Sequence, residues 1–277
     1  MGSNVSRRRV LAGGGLGILA SLAGCLATGR GETEIVTETY GTDDYSAISL
    51  SGENGSVTVE GGQGDAIEVR GRKAAPTEDT LESLTVETSS DNSHLEINAR
   101  QEDVPFLFGP DPKLDLEATV PDGVRVASAA TANGDINVRD VIGELEADTT
   151  NGRIDVQGID GGLVAESTNG SVQAVGVSGD VRAETTNGDI EVTAAGSDSD
   201  GDVIAKSTNG AVTVRTPPSP DATVSALTTN GAVSLEGFDN MNASSDDSVD
   251  VTLGDGTRRI RLETTNGDIT VRAADEE

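Results

Sequence analysis

Thr185-Thr186-Asn187-Gly188-Asp189-Ile190 is one copy of a phrase that recurs through the C-terminal half of this chain. Between residues 131 and 270 the phrase occurs seven times, each time around an Asn-Gly pair. The first four asparagines are 18 residues apart, and the next gaps are 22, 21 and 36 residues. A fixed period of this kind is the signature of a repeat architecture, so we expect these pairs to be structural turns. The pairs are Asn133-Gly134, Asn151-Gly152, Asn169-Gly170, Asn187-Gly188, Asn209-Gly210, Asn230-Gly231 and Asn266-Gly267, and an isolated earlier copy is Asn54-Gly55.

The residues around the turns form columns when the units are aligned on asparagine. Positions three and five after the asparagine are apolar in every unit, and so are positions four and, from the second unit onward, six before it. The residues between these columns are mostly polar. This alternation with a period of two predicts short β-strands separated by glycine corners.

Two architectures fit these columns, a meander of hairpins that turn at Asn-Gly and a β-solenoid in which each unit stacks on the last. A hairpin would place Asp148 opposite Asp155 and Glu184 opposite Glu191, which is unfavourable. A meander also needs a second layer over its apolar face, whereas the small residues of the columns suit the interior of a coil. The sequence therefore favours an all-β parallel solenoid with coils of about 18 residues, in which stacked asparagine amides can hydrogen-bond along a ladder.

Breaks in the period predict where the solenoid departs from regularity. Residues 196–201 lengthen one coil and residues 217–220 the next, at the same phase of the repeat. We expect both insertions to form loops on one face. The gap between Asn230 and Asn266 is two units long, which predicts one coil that has lost its asparagine phrase.

Residues 34–125 contain strand patterns without a strict repeat and are expected to form the N-terminal part of the solenoid, followed by regular repeats over residues 126–277. One short helix is possible within residues 73–83. The aromatic loop at residues 106–112, which holds two of the three phenylalanines, is expected to cover the end of the core, with a contact site as the alternative.

The composition limits the classes of partner. The chain carries 48 acidic and 19 basic residues, for a formal charge of −29, and only 2% of its residues are aromatic. Such a chain repels nucleic acid, which we exclude as a partner. This acidity is typical of a protein that stays soluble in high salt, although an ordinary acidic surface protein is the alternative.

The first residues predict export. Arg7 and Arg8 fit a twin-arginine signal, and a short apolar run leads to Leu22-Ala23-Gly24-Cys25, which resembles a lipobox. We therefore expect a signal peptide over residues 1–24, a lipid on Cys25 and a flexible tether through residue 33. The alternative is a plain membrane anchor with an incidental cysteine. The lipid would hold the protein on the outer face of the cell membrane.

The repeated Thr-Asn-Gly-Asp-Ile/Val phrase, together with the strand Leu116 to Val120 that ends in Val-Pro before the repeats, resembles the putative-adhesin family, a domain of unknown function related to head-GIN-type domains. The resemblance covers roughly residue 34 to the C-terminus. It implies a right-handed parallel β-helix and a structural or adhesive role without catalytic residues. We therefore expect a non-enzymatic cell-surface protein whose ligand is an unidentified surface glycan or protein.

Catalytic and metal chemistry has few candidate residues. His94 is the only histidine, so neither a nucleophilic triad nor a zinc site is expected, and we predict no cofactor. Oxygen-rich turns could bind Ca²⁺, but the repeat lacks the calcium β-roll pattern. The candidates for such a site are Asp135, Asp189 and Asp268 after the turns and Asp198, Asp200 and Asp202 in one loop.

A carbohydrate-binding module or a polysaccharide-active β-helix enzyme is the alternative function. Arg153 and Arg182, expected on adjacent coils with Asp155 and Glu184, are the best available group of charges, although a solvated face explains them as well. Asn242 is the candidate for glycosylation, since it lies in an irregular stretch.

Overall fold

The computed structural model of the chain describes residues 31–102, 109–194, 201–238 and 241–274. The first part of this chain forms β1 (Glu32–Gly41), β2 (Ala47–Asn54), β3 (Val57–Gly62), β4 (Ala66–Ala75), α1 (Glu78–Glu82), β5 (Leu84–Asp91), β6 (His94–Gln101) and β7 (Lys113–Pro121). The middle forms β8 (Arg125–Asn133), β9 (Ile136–Ile142), β10 (Leu145–Asn151), β11 (Ile154–Asp160), β12 (Leu163–Asn169), β13 (Val172–Val177), β14 (Val181–Asn187) and β15 (Ile190–Ala194). The last part forms β16 (Val203–Asn209), β17 (Val212–Thr216), β18 (Ala222–Asn230), β19 (Val233–Phe238), β20 (Met241–Ser245), β21 (Ser248–Leu253), β22 (Arg258–Asn266) and β23 (Ile269–Ala273).

These strands form two long sheets. Sheet I has the order β1-β4-β7-β3-β9-β11-β13-β15-β17-β23-β19-β20, and sheet II has the order β21-β18-β22-β16-β14-β12-β10-β8-β2-β6-β5. In each repeat, a strand of sheet II ends at asparagine, the chain turns at Asn-Gly, and the next strand joins sheet I. Strands of successive repeats pair in parallel, as in β10 with β12 and β11 with β13. The parallel all-β solenoid is thereby confirmed, and the hairpin meander is wrong.

The core lies between the two sheets and runs the length of the stack. The apolar columns of the sequence point inward, and their members are at most 4% exposed in the unit that begins at Val181. Alanine occupies the column four before the asparagine in six of the seven regular repeats, and Leu262 occupies it in the seventh, so little volume is left between the two sheets at this column. The core is one continuous cluster because the coils present apolar residues to one another at matching positions.

The order of the coils at the C-terminal end differs from the sequence order. The last coil, β22–β23, is inserted between β16–β17 and β18–β19. Residues 241–253 do not form a coil without its asparagine phrase; they form β20 and β21, which pair antiparallel with β19 and β18. The expectation that each unit stacks on the preceding one is therefore wrong at this end.

The proline insertion fits this crossing. The segment 217–220 joins β17 to β18, which lies two coils away because β22–β23 occupies the space between. The two coil steps amount to about 9.6 Å. Proline favours extended backbone, so this segment is suited to rise over two steps.

The N-terminal end is also interleaved. The coil β2–β3 pairs with β8–β9, and Asn54 is in register with Asn133. The coil β6–β7 lies beyond β2–β3, and β1, β4 and β5 cover it as antiparallel strands. The short helix α1 lies within the segment 73–83 and begins after Thr77, which caps its first turn together with Thr80.

Candidate functional site

The Asn-Gly corner is held by a ladder of side-chain amides. Seven of its eight asparagines, all except Asn54 at one end, donate their Nδ2 to the Oδ1 of the asparagine in the neighbouring coil, over N···O distances of 2.7–3.0 Å. The ladder follows the spatial order of the coils, and its members are Asn54, Asn133, Asn151, Asn169, Asn187, Asn209, Asn266 and Asn230. These side chains are therefore bonded to one another along the stack.

A second ladder, of buried hydroxyls, lies two residues before each asparagine. Each threonine or serine donates its hydroxyl to the carbonyl oxygen of the glycine in the neighbouring coil, over 2.8–3.1 Å. The donors are Thr131, Thr149, Ser167, Thr185, Ser207, Thr264 and Thr228. The sequence reasoning missed this role. Its signal was available, because this position has the same inward parity as the alanine column two residues earlier.

Glycine is required at the corner because the coils approach closely there. A Cβ on Gly170 would overlap the carbonyl oxygen of Gly152, and the same holds for Gly188 against Gly170. The glycine backbones thus stack directly on one another. No larger residue fits without moving the neighbouring coil.

The aspartates after the turns bond to the backbone. Asp135, Asp189 and Asp268 accept hydrogen bonds at Oδ1 from the backbone N–H groups of Arg153, Ala211 and Ala232 in the neighbouring coil, over 2.8–2.9 Å. Among the described residues, no group of three or more His, Cys, Asp or Glu side chains is arranged to hold a metal ion. The interactions of these carboxylates thus join neighbouring coils.

Asp202 has a similar role at the opposite corner. Its Oδ1 accepts the backbone N–H of Arg259 at 2.8 Å, and its Oδ2 accepts the Arg259 guanidinium at 2.7 Å and 3.0 Å. Partial burial alone would raise the pKa of the Asp202 carboxyl, but the hydrogen bonds and charge of Arg259 outweigh it and lower the pKa below its ordinary value. Asp198 and Asp200 lie outside the described residues.

The outer face of sheet II carries an open groove of about 650 Å³ that we call the threonine groove. One side is a column of exposed threonines immediately before the asparagines, and the other is a column of mostly charged residues two positions earlier. The threonine column consists of Thr150, Thr168, Thr186, Thr208, Thr265 and Thr229, and the second column of Asp148, Glu166, Glu184, Lys206, Glu263 and Leu227. Parallel pairing repeats each column once per coil, about every 4.8 Å.

The groove is acidic, with four carboxylates and one lysine. Arg182 pairs with Glu184 at 2.6 Å, and Lys206 lies 3.7 Å from Glu263. Asp148 and Glu166 are exposed. The groove therefore offers hydroxyls and carboxylates as hydrogen-bonding groups and a negative potential that attracts cationic groups.

The charges proposed for an enzyme are not brought together. Arg153 lies at the corner between β10 and β11, and Arg182 lies on β14, with the coil β12–β13 between them. Asp155 belongs to sheet I, whereas Glu184 belongs to sheet II. The expectation that these residues lie on adjacent coils is wrong.

His94 lies near the N-terminal end, where its Nε2 is 2.9 Å from the Ser49 Oγ. Arg7, Arg8, Cys25 and residues 106–108 of the aromatic loop lie outside the described residues. Asn242 belongs to β20. None of the helices in the described part of the chain has the length and apolar character needed to span a bilayer.

A comparison with protein families matches residues 75–272 to Toastrack DUF4097. The chain belongs to this family. The toastrack match begins at the end of β4 and extends into the last strand, and it confirms the family-level resemblance drawn from the repeated phrase. Among curated proteins, none matches this toastrack chain.

Solved structures with similarity to this toastrack protein include a putative adhesin from Bacteroides fragilis NCTC 9343, at 13% identity, over 87% of this chain and 97% of that one, with a TM-score of 0.40. A putative cell adhesion protein from Clostridium sporogenes ATCC 15579 is 12% identical over 88% of this chain and all of its own, with a TM-score of 0.37. A putative lipid binding protein from Parabacteroides distasonis ATCC 8503 is 12% identical over 89% of this chain and 98% of its own, with a TM-score of 0.36.

Proposed function

We propose that this toastrack protein is exported, anchored by a lipid on Cys25 to the outer face of the cell membrane, and acts there as a non-enzymatic adhesive or structural rod. The threonine groove is the observation that carries the binding part of this proposal. It extends over six coils and repeats a column of threonines beside a column of mostly charged residues. Such a surface suits binding to an extended ligand along the stack.

The chemistry of the groove narrows the ligand. Hydroxyls and carboxylates at a regular spacing suit a polymer that presents hydroxyl or amino groups along its length. The negative potential disfavours polyanions. A neutral or cationic surface glycan is therefore the ligand class that we favour for an adhesive rod. A carbohydrate-binding module that takes the same class of glycan in the groove is the second candidate function.

The anchor is tested by replacing the cysteine. Cys25→Ser should move the protein from the membrane fraction to the medium, because a single acyl-bearing residue would be lost while the folded coils are unchanged. Metabolic labelling with a fatty acid should mark the wild type and leave the variant unlabelled. A variant that stays bound to membranes would contradict the lipid anchor.

The groove is tested with the full-length protein and a panel of neutral, cationic and anionic polysaccharides. Thr168→Arg places a long side chain in the groove beside Glu166 and should abolish binding. Gln157→Arg is the matched control, since Gln157 is exposed on sheet I and receives the same charge. Equal loss in both variants, or binding of no polymer, would refute the role of the groove while leaving the anchor untouched.

A further inference from the structure

The eight Asn-Gly pairs differ in one respect that bears on their chemistry. At seven of them the glycine N–H donates to the backbone carbonyl of the asparagine in the next coil, over 2.9–3.2 Å. These glycines are Gly55, Gly134, Gly152, Gly170, Gly188, Gly210 and Gly267. Gly231 belongs to the last parallel coil of the stack, so in the described part of the chain no further Asn-Gly corner lies beyond it.

The N–H of Gly231 has no hydrogen-bond acceptor within the described part of the chain. Gly231 is also exposed, whereas the other seven glycines are buried or half-buried. Its partner Asn230 is held only from one side, because its Nδ2 donates to Asn266 Oδ1 at 2.9 Å and its own Oδ1 ends the ladder. The two ends of the ladder are therefore not equivalent, since Gly55 at the other end is buried and bonded to Asn133.

We propose that Asn230 is a site of spontaneous, structure-selected deamidation. The backbone nitrogen of Gly231 loses its proton and attacks Cγ of Asn230; a new N–C bond forms, the C–Nδ2 bond breaks, and ammonia leaves. Water then opens the resulting succinimide ring at one of its two carbonyls and yields aspartate or isoaspartate. Water is the sole co-reactant, and glycine presents no Cβ to hinder the approach.

The ladder protects the other seven pairs by engaging the nucleophile. A backbone N–H that is bonded within the stack must be released by local opening before it can react, as in amide hydrogen exchange. One amide hydrogen bond corresponds to about a tenfold difference in the reactive population. The site lies at the end of the stack opposite to β1, so the product adds a negative charge at the end farthest from the proposed anchor.

The chain contains its own matched control. Thr208-Asn209-Gly210-Ala211-Val212 and Thr229-Asn230-Gly231-Ala232-Val233 are identical pentapeptides, and they differ only in their place in the stack. Any difference in their rates must therefore come from the folded structure. Gly210 donates to Asn266 at 2.9 Å, whereas Gly231 has no such partner.

The experiment incubates the full-length protein at mildly alkaline pH and follows each Asn-Gly peptide by mass spectrometry, through the mass change from amide to acid. In the folded protein, Asn230 should be modified about tenfold faster than Asn209. In denaturant the two rates should become equal. Equal rates in the folded protein, or first modification at any of the other seven pairs, would overturn the proposal, which does not depend on the surface role proposed above.

Discussion

Thr185→Val tests the buried hydroxyl ladder with a change that keeps the shape of the side chain. The Thr185 hydroxyl donates to Gly170 O at 2.8 Å, and among the described residues no backbone N–H is bonded to that carbonyl. Valine is also β-branched, so the preference for a strand is kept, and any loss of stability reports the missing hydrogen bond. The variant leaves the carbonyl of the half-buried Gly170 without its donor, which costs about 1–3 kcal/mol.

The assay must resolve individual coils. A stack of repeats can open locally, so a single unfolding free energy does not describe it. With no tryptophan in the chain, amide hydrogen exchange followed by mass spectrometry is the suitable measurement. A loss of about 2 kcal/mol should speed exchange in β12 to β15 by roughly 30-fold.

Thr186→Val is the matched control, since Thr186 is exposed in the threonine groove and receives the same substitution one residue away. The opening free energy derived from its amide exchange should change by less than about 0.5 kcal/mol, as is usual for a surface position. If Thr185→Val and Thr186→Val alter exchange equally, the hydroxyl ladder does not stabilise the stack and the reasoning is refuted.

Three further predictions concern the corner, the coil order and acid stability. Gly170→Ala should lower the free energy of unfolding by about 3 kcal/mol or more, because the added Cβ would overlap Gly152. Gly41→Ala is the control: a Cβ at Gly41 meets free space, so thermal stability should be unchanged. The coil order is tested with pairs of cysteines in a Cys25→Ser background: Ser225→Cys with Arg261→Cys should form a disulfide, because these residues are paired on neighbouring strands. Ser225→Cys with Ile204→Cys should form none, because the two residues are two coil steps apart, beyond the reach of a disulfide. The reverse result would show that the coils stack in sequence order. Because folding lowers the pKa of Asp202, the stabilisation by its ionised carboxylate is present above the ordinary pKa of 3.8 and is lost as the pH falls further. The difference in unfolding free energy between wild type and Arg259→Gln should therefore shrink below pH 3.8. A difference that stays constant with pH would contradict the ion pair.

The extent to which the sequence predicted this structure follows from what the repeat encodes. The period and the inward columns define one coil, so the parallel stack and its corners could be derived from residues such as Asn187, Gly188 and Ile190. The role of Thr185 was missed because threonine is equally compatible with an outer position, and only parity assigns it to the interior. The threonine groove could not be foreseen as a concave surface, since its shape depends on the twist and spacing of strands far apart in sequence.

The coil order could not be read from the columns, because β18 and β22 present the same inward alternation to a neighbour.

The physical reason for the interleaving lies in the edge of the stack. An open parallel edge invites pairing with other chains, so it must be covered. The strands β20 and β21 follow β19 in the chain and cover this edge, because they pair antiparallel with β19 and β18. With this edge covered, the end of the stack offers no open parallel edge to the coil β22–β23. It is inserted one step further in, where both of its sides gain a parallel partner and Ile260, Leu262, Ile269 and Val271 become at most 1% exposed. The cover thus accounts both for the insertion of the last coil and for the exposed glycine at Gly231, the corner that the cover leaves without a following coil.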